Sequence, residues 1–396
     1  MITSLANIVW IIFQLLIGYN LVFPFFLYLI YLLKKENSIS KNISSDEADY
    51  AIIVTAYEQT HTLPPVIDSL LKLDYKNYLI YIVADKCDVS NLKFDDEKVI
   101  VLRPENTLGS NTRSHFYAIH RFKRNHDRLT IIDSDNLVEP SYLKKLNPYF
   151  DAGFEAVQGE RKAKNLDTTV ACVDAARDVY YHYFDGQILF AVGSSATLAG
   201  SGMAFTVDLY RKCLEHLDIT GAGFDKVLQK EILSRKYRIA FTKDAIVYDE
   251  KTSRSDQLVK QRARWINTWF RYFKFGFVLV AKGIFNFNWN QFVFGFILLR
   301  PPLFIFLILS FLLMCANIFI DPIIALTWLI GFILFTAGFF IALLNSDTDK
   351  RIYQSLGGIP KFIFYQILSL MKVRNANKHS VATQHYHDKK LDEVKE

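Results

Sequence analysis

Hydrophobic and polar positions divide the chain into three regimes. Met1 to Leu33 contains no charged residue and is closed by Lys34 and Lys35. Pro301 to Ile320 and Pro322 to Ser346 are also uncharged, separated only by Asp321. About 20 apolar residues suffice to cross a bilayer, so each run predicts a membrane helix, the last two forming a hairpin. A signal peptide fits the first run poorly, because it is too long, lacks a basic leading segment and is followed by no A-x-A site. From Asp49 to about Arg264 the pattern changes to short apolar runs alternating with helical periodicity. Residues 51–57, 79–84, 99–102 and 129–132 read as buried strands, and 245–248 as a late one. Residues 63–73 and 110–122 read as helices, the first with Thr60 or Thr62 as N-cap and Pro64 in its opening turn. Continuous apolar strands separated by helices predict an α/β domain with a mainly parallel sheet covered on both faces.

Two further stretches, Trp269 to Ala281 and Tyr353 to Val373, mix aromatic and basic residues at helical spacing and suit a membrane surface. An ordinary amphipathic core helix is the alternative for each. The expected organisation is therefore an N-terminal transmembrane helix over 1–33 and the α/β domain over 49–267. An interfacial helix over 268–284, a transmembrane hairpin over 290–346 and a cytoplasmic interfacial segment and tail over 350–396 complete it. Basic residues flank the spans on the domain side (Lys34, Lys35, Arg262, Arg264, Arg271, Lys274, Lys282) and after the last span (Lys350, Arg351, Lys361, Lys372, Arg374, Lys378). Placing both groups in the cytoplasm predicts a multi-pass protein of the cell (inner) membrane with its domain cytoplasmic. Composition agrees: 51% of residues are hydrophobic and 15% aromatic, while the net charge is only +6. The four cysteines, Cys87, Cys172, Cys213 and Cys315, show no C-x-x-C spacing, which speaks against a zinc or disulfide framework and suits a reducing compartment.

The chemistry sits at the strand ends. The first strand runs into Tyr57-Glu58, the second into Asp85 and Asp88, the fourth into Asp133 and Asp135. In open α/β sheets, ligands bind outside the carboxyl ends of the strands. Several carboxylates converging there predict a cation-assisted or nucleotide-binding site. No G-x-G-x-x-G and no P-loop occurs, so neither dinucleotide nor Walker-type binding is indicated. Hard oxygen ligands one residue apart suit Mg2+ or Mn2+, held by one or two carboxylates plus substrate phosphates.

These residues, in this order, resemble the family 2 glycosyltransferases with a GT-A fold. The membrane layout is similar to that of the cellulose, chitin, hyaluronan and poly-N-acetylglucosamine synthases. IIVTAYEQ (52–59) looks like the opening strand whose end meets the donor, which implies roles for Ala56 and Glu58. VADKCDVS (83–90) resembles the second strand, where Asp85 is implied to bind the uracil with Asp88 nearby. DSD (133–135) matches the D-x-D element, implying Asp135 as metal ligand and Asp133 toward the ribose. AVQGERKAKN (156–165) and GSGMAF (200–205) resemble the segments shaping donor and acceptor pockets, with Gly200, Ser201 and Gly202 on the acceptor side. FDK (224–226) falls where the family places its catalytic aspartate, here Asp225, and QRARW (261–265) fits Q-x-x-R-W. The chain departs from the family at Phe224, where an acidic residue is usual, and at Gly109-Ser110-Asn111, where Gly-Lys is common; Arg113 is a substitute source of positive charge.

The resemblance implies inverting transfer of a sugar from a nucleotide-diphosphate donor, with UDP the implied carrier, to a growing polysaccharide or a lipid-linked acceptor. Asp225 would be the base. Arg264 would pair with the donor diphosphate, and Gln261 and Trp265 would face the acceptor. Simpler roles exist for each. Asp225 suits a helix N-terminus, and Arg264 and Trp265 suit a membrane interface. Glu231 and Glu250 read as structural acids, and Asp244 and Asp249 as loop carboxylates. His379, His385 and His387 read as tail residues, with Thr383 and His385 resembling the family's closing segment. Expected partners are the nucleotide sugar, a glycan or lipid-linked acceptor, membrane lipid and an accessory subunit, since three spans are few for a channel. Nucleic acid is not expected, because the basic and aromatic residues at 262–274 abut a span and carry no RNA-binding motif. A non-catalytic membrane regulator that keeps the fold and binds a nucleotide sugar is the alternative function.

Overall fold

The structure, a computed structural model, describes residues 2–34, 48–377, 387 and 389–395. Lys35, Lys378, His379, Thr383 and His385 lie outside the described residues. Eight strands form one sheet in the order β3-β2-β1-β4-β7-β6-β8-β5. They are β1 (Tyr50–Tyr57), β2 (Tyr78–Asp85), β3 (Val99–Leu102), β4 (Arg128–Asp133), β5 (Leu137–Val138), β6 (Ala156–Ala163), β7 (Met203–Thr206) and β8 (Ile239–Asp249). The sheet is mixed. β3, β2, β1 and β4 run parallel, as do β6 and β8. β7 lies antiparallel between β4 and β6, and β5 pairs antiparallel with β8. The mainly parallel expectation thus describes the first half of the sheet, and β7 reverses direction in the second.

Strand alternation explains why β1 and β2 are apolar on both faces until Thr55 and Asp85 near their carboxyl ends. Ala51, Ile53, Tyr81, Val83, Leu129 and Ile131 face one core, and Tyr50, Ile52, Val54, Ile80 and Ile82 face the other. The second core is closed by helices Leu63–Leu71 and Tyr142–Asp151. The first is deeper. It takes Phe116 and Ile119 from helix Asn111–Ile119, Leu228 and Ile232 from helix Phe224–Ser234, and Val293 and Phe294 from helix Trp289–Leu299. Leu27 and Ala342, from two long apolar helices, enter the same cluster. The sheet is therefore seated directly on the apolar helices through continuous buried surface, the dominant stabilising term in folding.

Three helices are long and apolar enough to cross a membrane: Leu5–Leu33, Leu303–Ile320 and Pro322–Asn345. They meet through Ile17, Leu21, Phe306, Leu313 and Trp328. At their centre the Gln14 carbonyl oxygen accepts from Asn317 Nδ2 at 2.7 Å and from Trp328 Nε1 at 3.0 Å. The segment expected as a hairpin over 290–346 holds a third helix, Trp289–Leu299, split from the spans at Arg300-Pro301-Pro302. Proline breaks a helix because it removes an N–H and crowds the preceding turn. Likewise, Trp269–Tyr272 belongs to the long helix Ser255–Tyr272, and a separate short helix covers Phe275–Phe285. The two short apolar helices cross closely at Gly276 and Gly295, where an added Cβ would stand 2.6 Å from the Gly295 carbonyl oxygen. Phe277, Phe285 and Phe287 remain exposed on this pair, as do Phe364 and Met371 on helix Ile359–Met371.

Candidate active site

Register brings the acidic strand ends together, since Tyr57 pairs with Asp85 and Thr55 with Asp133. Beyond them opens a cavity of about 650 Å³. Of the residues singled out in the sequence, Asp133, Asp135, Gly200, Asp225, Gln261, Arg264 and Trp265 line it. Ala56, Glu58, Asp85, Asp88, Arg113, Ser201 and Gly202 stand outside its lining. Ala56 is a core residue at the end of β1. Glu58 has φ +61° and forms an ion pair at 2.7 Å with Lys86, itself at φ +57°. Asp85 is buried, and its two carboxylate oxygens accept from the backbone N–H groups of Leu108 (2.9 Å) and Gly109 (2.8 Å). It therefore fixes the loop after β3 rather than facing the cavity. Lys86, Asp88 and Arg103 line a second, separate opening of about 710 Å³. Arg113, expected to supply positive charge, is paired with Asp218 at 2.7 Å.

Ser201 and Gly202 support the site from behind. Ser201 is fully buried, and its Oγ accepts from the Asp133 backbone N–H at 3.0 Å. Gly202 donates to Ile131 at 3.0 Å and accepts from Gly159 at 2.8 Å. Gln158 locks this turn: its Oε1 accepts from Ala199 N at 2.9 Å, and its Nε2 reaches the carbonyls of Ser201 and Gly202, both at 3.1 Å. The position of the D-x-D turn thus depends on a buried amide in β6. Asp135 is only 8% exposed, and its carbonyl accepts from the buried Lys164 Nζ at 3.1 Å.

Asp225 lies in the first turn of helix Phe224–Ser234, with Lys226 Nζ 3.3 Å from its Oδ2. The helix begins at Gly223, whose φ of +100° is open to glycine at little cost. That start is pressed against helix Ser255–Tyr272, the element carrying Q-x-x-R-W. There Gln261 Oε1 accepts from Thr252 Oγ1 at 3.2 Å. Burial pushes the Arg264 guanidinium below its ordinary pKa. Trp265 is 39% exposed at the cavity rim.

One wall was not foreseen. A continuous helix over 169–191, α-helical to Tyr181 and π-helical over His182–Ile188, presents Asp174, Arg177, Asp178, Tyr181, His182 and Asp185 to the cavity. Their spacing of three and four residues was the available signal. Asp178 takes Arg177, Lys251 and Arg161 as partners. Although burial opposes it, these three cations hold its carboxyl well below the usual range. Arg161 also pairs with Asp249 at 3.1 Å, and Lys251 with Asp249 at 2.8 Å. Asp249, expected as a loop carboxylate, is thus part of a buried ion network. Glu250 lines the cavity and accepts from the His387 backbone, whereas Glu231 pairs with Lys230 and Arg235 on its own helix. Burial pushes His182 down to about 4, so it is neutral at physiological pH.

Among the described residues, no group of three or more His, Cys, Asp or Glu side chains encloses a metal position. The donor set of Asp133 and Asp135 nevertheless fits Mg2+ or Mn2+, which take only one or two protein carboxylates when phosphates and waters fill the remaining positions.

A curled mixed sheet with a D-x-D turn and a Q-x-x-R-W helix on one cavity defines a glycosyltransferase of the GT-A fold. The glycosyltransferase-like family 2 matches residues 48–268, and the chain belongs to that family. Among solved structures, it is similar to mannosyltransferase PcManGT from Pyrobaculum calidifontis in complex with GDP-Man and Mn2+. The match has 14% identity over 90% of this chain and 97% of that one, with a TM-score of 0.54. S. aureus TarS 1–349 is similar at 13% identity over 83% and 90% of the two chains, with a TM-score of 0.40. TarS 1–349 in complex with UDP-GlcNAc gives 11% identity over the same shares and a TM-score of 0.42. No curated protein sequence matches the chain.

Proposed function

We propose that this glycosyltransferase transfers a sugar, with inversion, from a nucleotide-diphosphate donor to a glycan or lipid-linked acceptor at the cytoplasmic face of a membrane. The observation that carries this reading is the composition of one cavity. Asp133, Asp135, Asp225, Gln261, Arg264 and Trp265 share it with Pro301, Pro302 and Leu303, the entrance to an apolar helix long enough to span a bilayer. Asp225 removes the acceptor hydroxyl proton as that oxygen bonds to the anomeric carbon. The bond from that carbon to the diphosphate breaks, and its electron pair leaves with the nucleoside diphosphate. Arg264 pairs with the diphosphate through its guanidinium fork. Trp265 offers an aromatic face to an acceptor ring. A divalent ion held by Asp135 and Asp133 would neutralise charge growing on the leaving group. The GDP-Man and Mn2+ bound by the Pyrobaculum enzyme support a nucleotide-diphosphate donor and a metal, and UDP-sugars belong in the same trial.

The test is release of free nucleoside diphosphate by the purified full chain from a panel of UDP- and GDP-sugars, with Mg2+, Mn2+ or chelator. Asp225→Ala is expected to lower turnover by about 10²–10⁴-fold, the usual contribution of a positioned base, and Asp135→Ala to abolish the metal response. Full activity in both variants would sink the assignment. Absence of turnover with every donor and membrane extract would favour the regulator that binds a nucleotide sugar without transferring it. Product size separates polymer from single addition.

A further inference from the structure

The stretch that delivers Asp225 has little structure of its own. Between helix Val207–Leu214 and helix Phe224–Ser234 the chain passes through Gly221 at φ +74° and Gly223 at φ +100°. Among the described residues, no backbone–backbone hydrogen bond involves residues 218–222. Such a segment takes its place from the side chains that reach it, and they reach three successive residues. The Asp218 carboxylate accepts from Arg113 Nε at 2.8 Å and Nη2 at 2.7 Å. The Ile219 carbonyl accepts from Ser110 Oγ at 2.6 Å. The Thr220 carbonyl accepts from Arg271 Nη1 at 2.9 Å.

Burial ranks these anchors. The Arg113 and Asp218 side chains are 45% and 66% exposed, and an ion pair so placed contributes little. The bond from Arg271 is also exposed. At Ile219 everything is buried: Ser110 is 8% exposed, Thr112 2% and Ile219 7%. Thr112 Oγ1 stands 3.1 Å from the Ile219 oxygen and 3.0 Å from Ser110 Oγ. Its single proton therefore serves either the carbonyl or the hydroxyl that already donates to it. A buried carbonyl that loses its donor bears the desolvation cost in full, so this anchor resists opening more than the other two.

The two hydroxyls stand on a fixed support. Ser110 caps helix Asn111–Ile119. Just before it, the N–H groups of Leu108 and Gly109 are held by Asp85 at the end of β2. Farther along the helix, His115 Nδ1 and Tyr210 Oη are 2.7 Å apart, and the His115 ring lies 5.2 Å from that of Phe224. Helix Asn111–Ile119 thus meets the loop at Ile219 and at Phe224, while helix Ser255–Tyr272 presses on Gly223. We propose that Ser110 and Thr112 are positioning residues for the transfer: through the Ile219 carbonyl they hold the loop from which Asp225 meets the acceptor hydroxyl. Neither side chain lines the cavity, so both act through Asp225 rather than on a bound molecule. This rests on Asp225 being the base.

Nucleoside diphosphate release by the purified full chain, from the panel of UDP- and GDP-sugars with Mn2+, tests this. For each variant kcat, donor KM, UDP and GDP affinity and amide exchange over residues 217–226 are read. Ser110→Ala/Thr112→Val is expected to lower kcat by about 10–100-fold, the effect of a displacement by about 1 Å. Donor KM and nucleotide affinity should stay within about threefold, since ground-state binding is untouched. Amide exchange over 217–226 should quicken at least about tenfold as the loop opens more often. Thr112→Val alone keeps shape and cap, so it carries the test where the double variant folds poorly; kcat should fall about 3–10-fold. Ser110→Thr/Thr112→Ser, which keeps both hydroxyls, should recover most of the loss. In an Asp225→Ala background the double substitution should cost no more than about twofold further, because its effect passes through the missing carboxylate. A further loss well beyond that marks a general structural role and overturns the proposal. Unchanged kcat or unchanged exchange in Ser110→Ala/Thr112→Val overturns it as well, as does a KM that rises as far as kcat falls. Full activity in Asp225→Ala rejects the base itself, whereas a slow Asp225→Ala beside an unchanged Ser110→Ala/Thr112→Val rejects this proposal alone.

Discussion

Gly223 sets where Asp225 stands, and replacing it by alanine tests that placement. Its φ of +100° is a conformation that costs a side-chain-bearing residue about 1–2 kcal/mol. The new Cβ would also lie 2.5 Å from Thr268 Cγ2 and 2.6 Å from Tyr272 Cε2. Such overpacking costs about 1–3 kcal/mol, so the whole change is worth about 2–5 kcal/mol. Gly200→Ala is the control, because Gly200 has φ +88° but nothing within 4 Å of its Cβ position. It should therefore show only the backbone cost. In a domain of this size, about 2–4 °C of melting temperature accompanies each kcal/mol. The expected losses are about 4–20 °C for Gly223→Ala and about 2–8 °C for Gly200→Ala, read by tryptophan fluorescence of the solubilised protein. Thr268→Ser in the Gly223→Ala background removes the nearer methyl while keeping the hydroxyl that donates to the Arg264 carbonyl at 2.9 Å. It should return part of the loss. Turnover should fall further than stability explains, because displacement by about 1 Å at a reacting group can cost about 100-fold. Gly223→Ala melting with or above Gly200→Ala would refute the packing account, and unchanged nucleotide turnover would refute the link to Asp225.

Two other outcomes follow from buried charge. Lys251→Met leaves Asp178 and Asp249 with one cation fewer; both keep Arg161, so the loss should fall near the lower end of the about 3–5 kcal/mol typical of a broken buried pair, measurable as a lower melting temperature. Burial pushes Glu160 up to about 7 despite Lys162 and Lys243, so the folded state favours its protonated form. Its ionisation then costs stability progressively as pH rises from about 4.5 through 7; Glu160→Gln should raise the melting temperature at pH 8 and leave it nearly unchanged below about pH 4, and an equal effect at both would exclude the carboxyl as cause.

What could be read from the chain depended on whether a residue's partners were near in sequence. The parallel strands β1, β2, β3 and β4 were readable, because burial on both faces leaves an unbroken apolar run. β6 was seen only as a pocket segment. Its Gln158, Glu160, Arg161 and Lys162 look like a solvated loop until the sheet is assembled. Gln158 is buried because its partners are backbone groups of residues 199–202, some forty positions away, and no local pattern announces that. β7 is four residues long and runs against its neighbours, too short to carry a period. The D-x-D turn, Asp225, Gln261, Arg264 and Trp265 do meet on one cavity. Asp85 shows another case, since an acidic strand end can be taken up by two backbone N–H groups, those of Leu108 and Gly109. The wall over 169–191 repeats at helical spacing and could have been found; it was obscured because the cations that pair its aspartates, Arg161, Lys251, Arg262 and Arg300, come from elsewhere in the chain.

The hydrogen bonds joining Gln14 to Asn317 and Trp328 also order events in time. The first helix is complete long before its partners exist, since the two contacts span 303 and 314 residues of chain. At about 5–20 residues per second, roughly 15–60 s of synthesis separate Gln14 from Asn317. Throughout that interval the first helix must hold a polar amide without its two native donors. The contact that fixes the first helix to Leu303–Ile320 and Pro322–Asn345 can therefore close only after every strand of the sheet has been made.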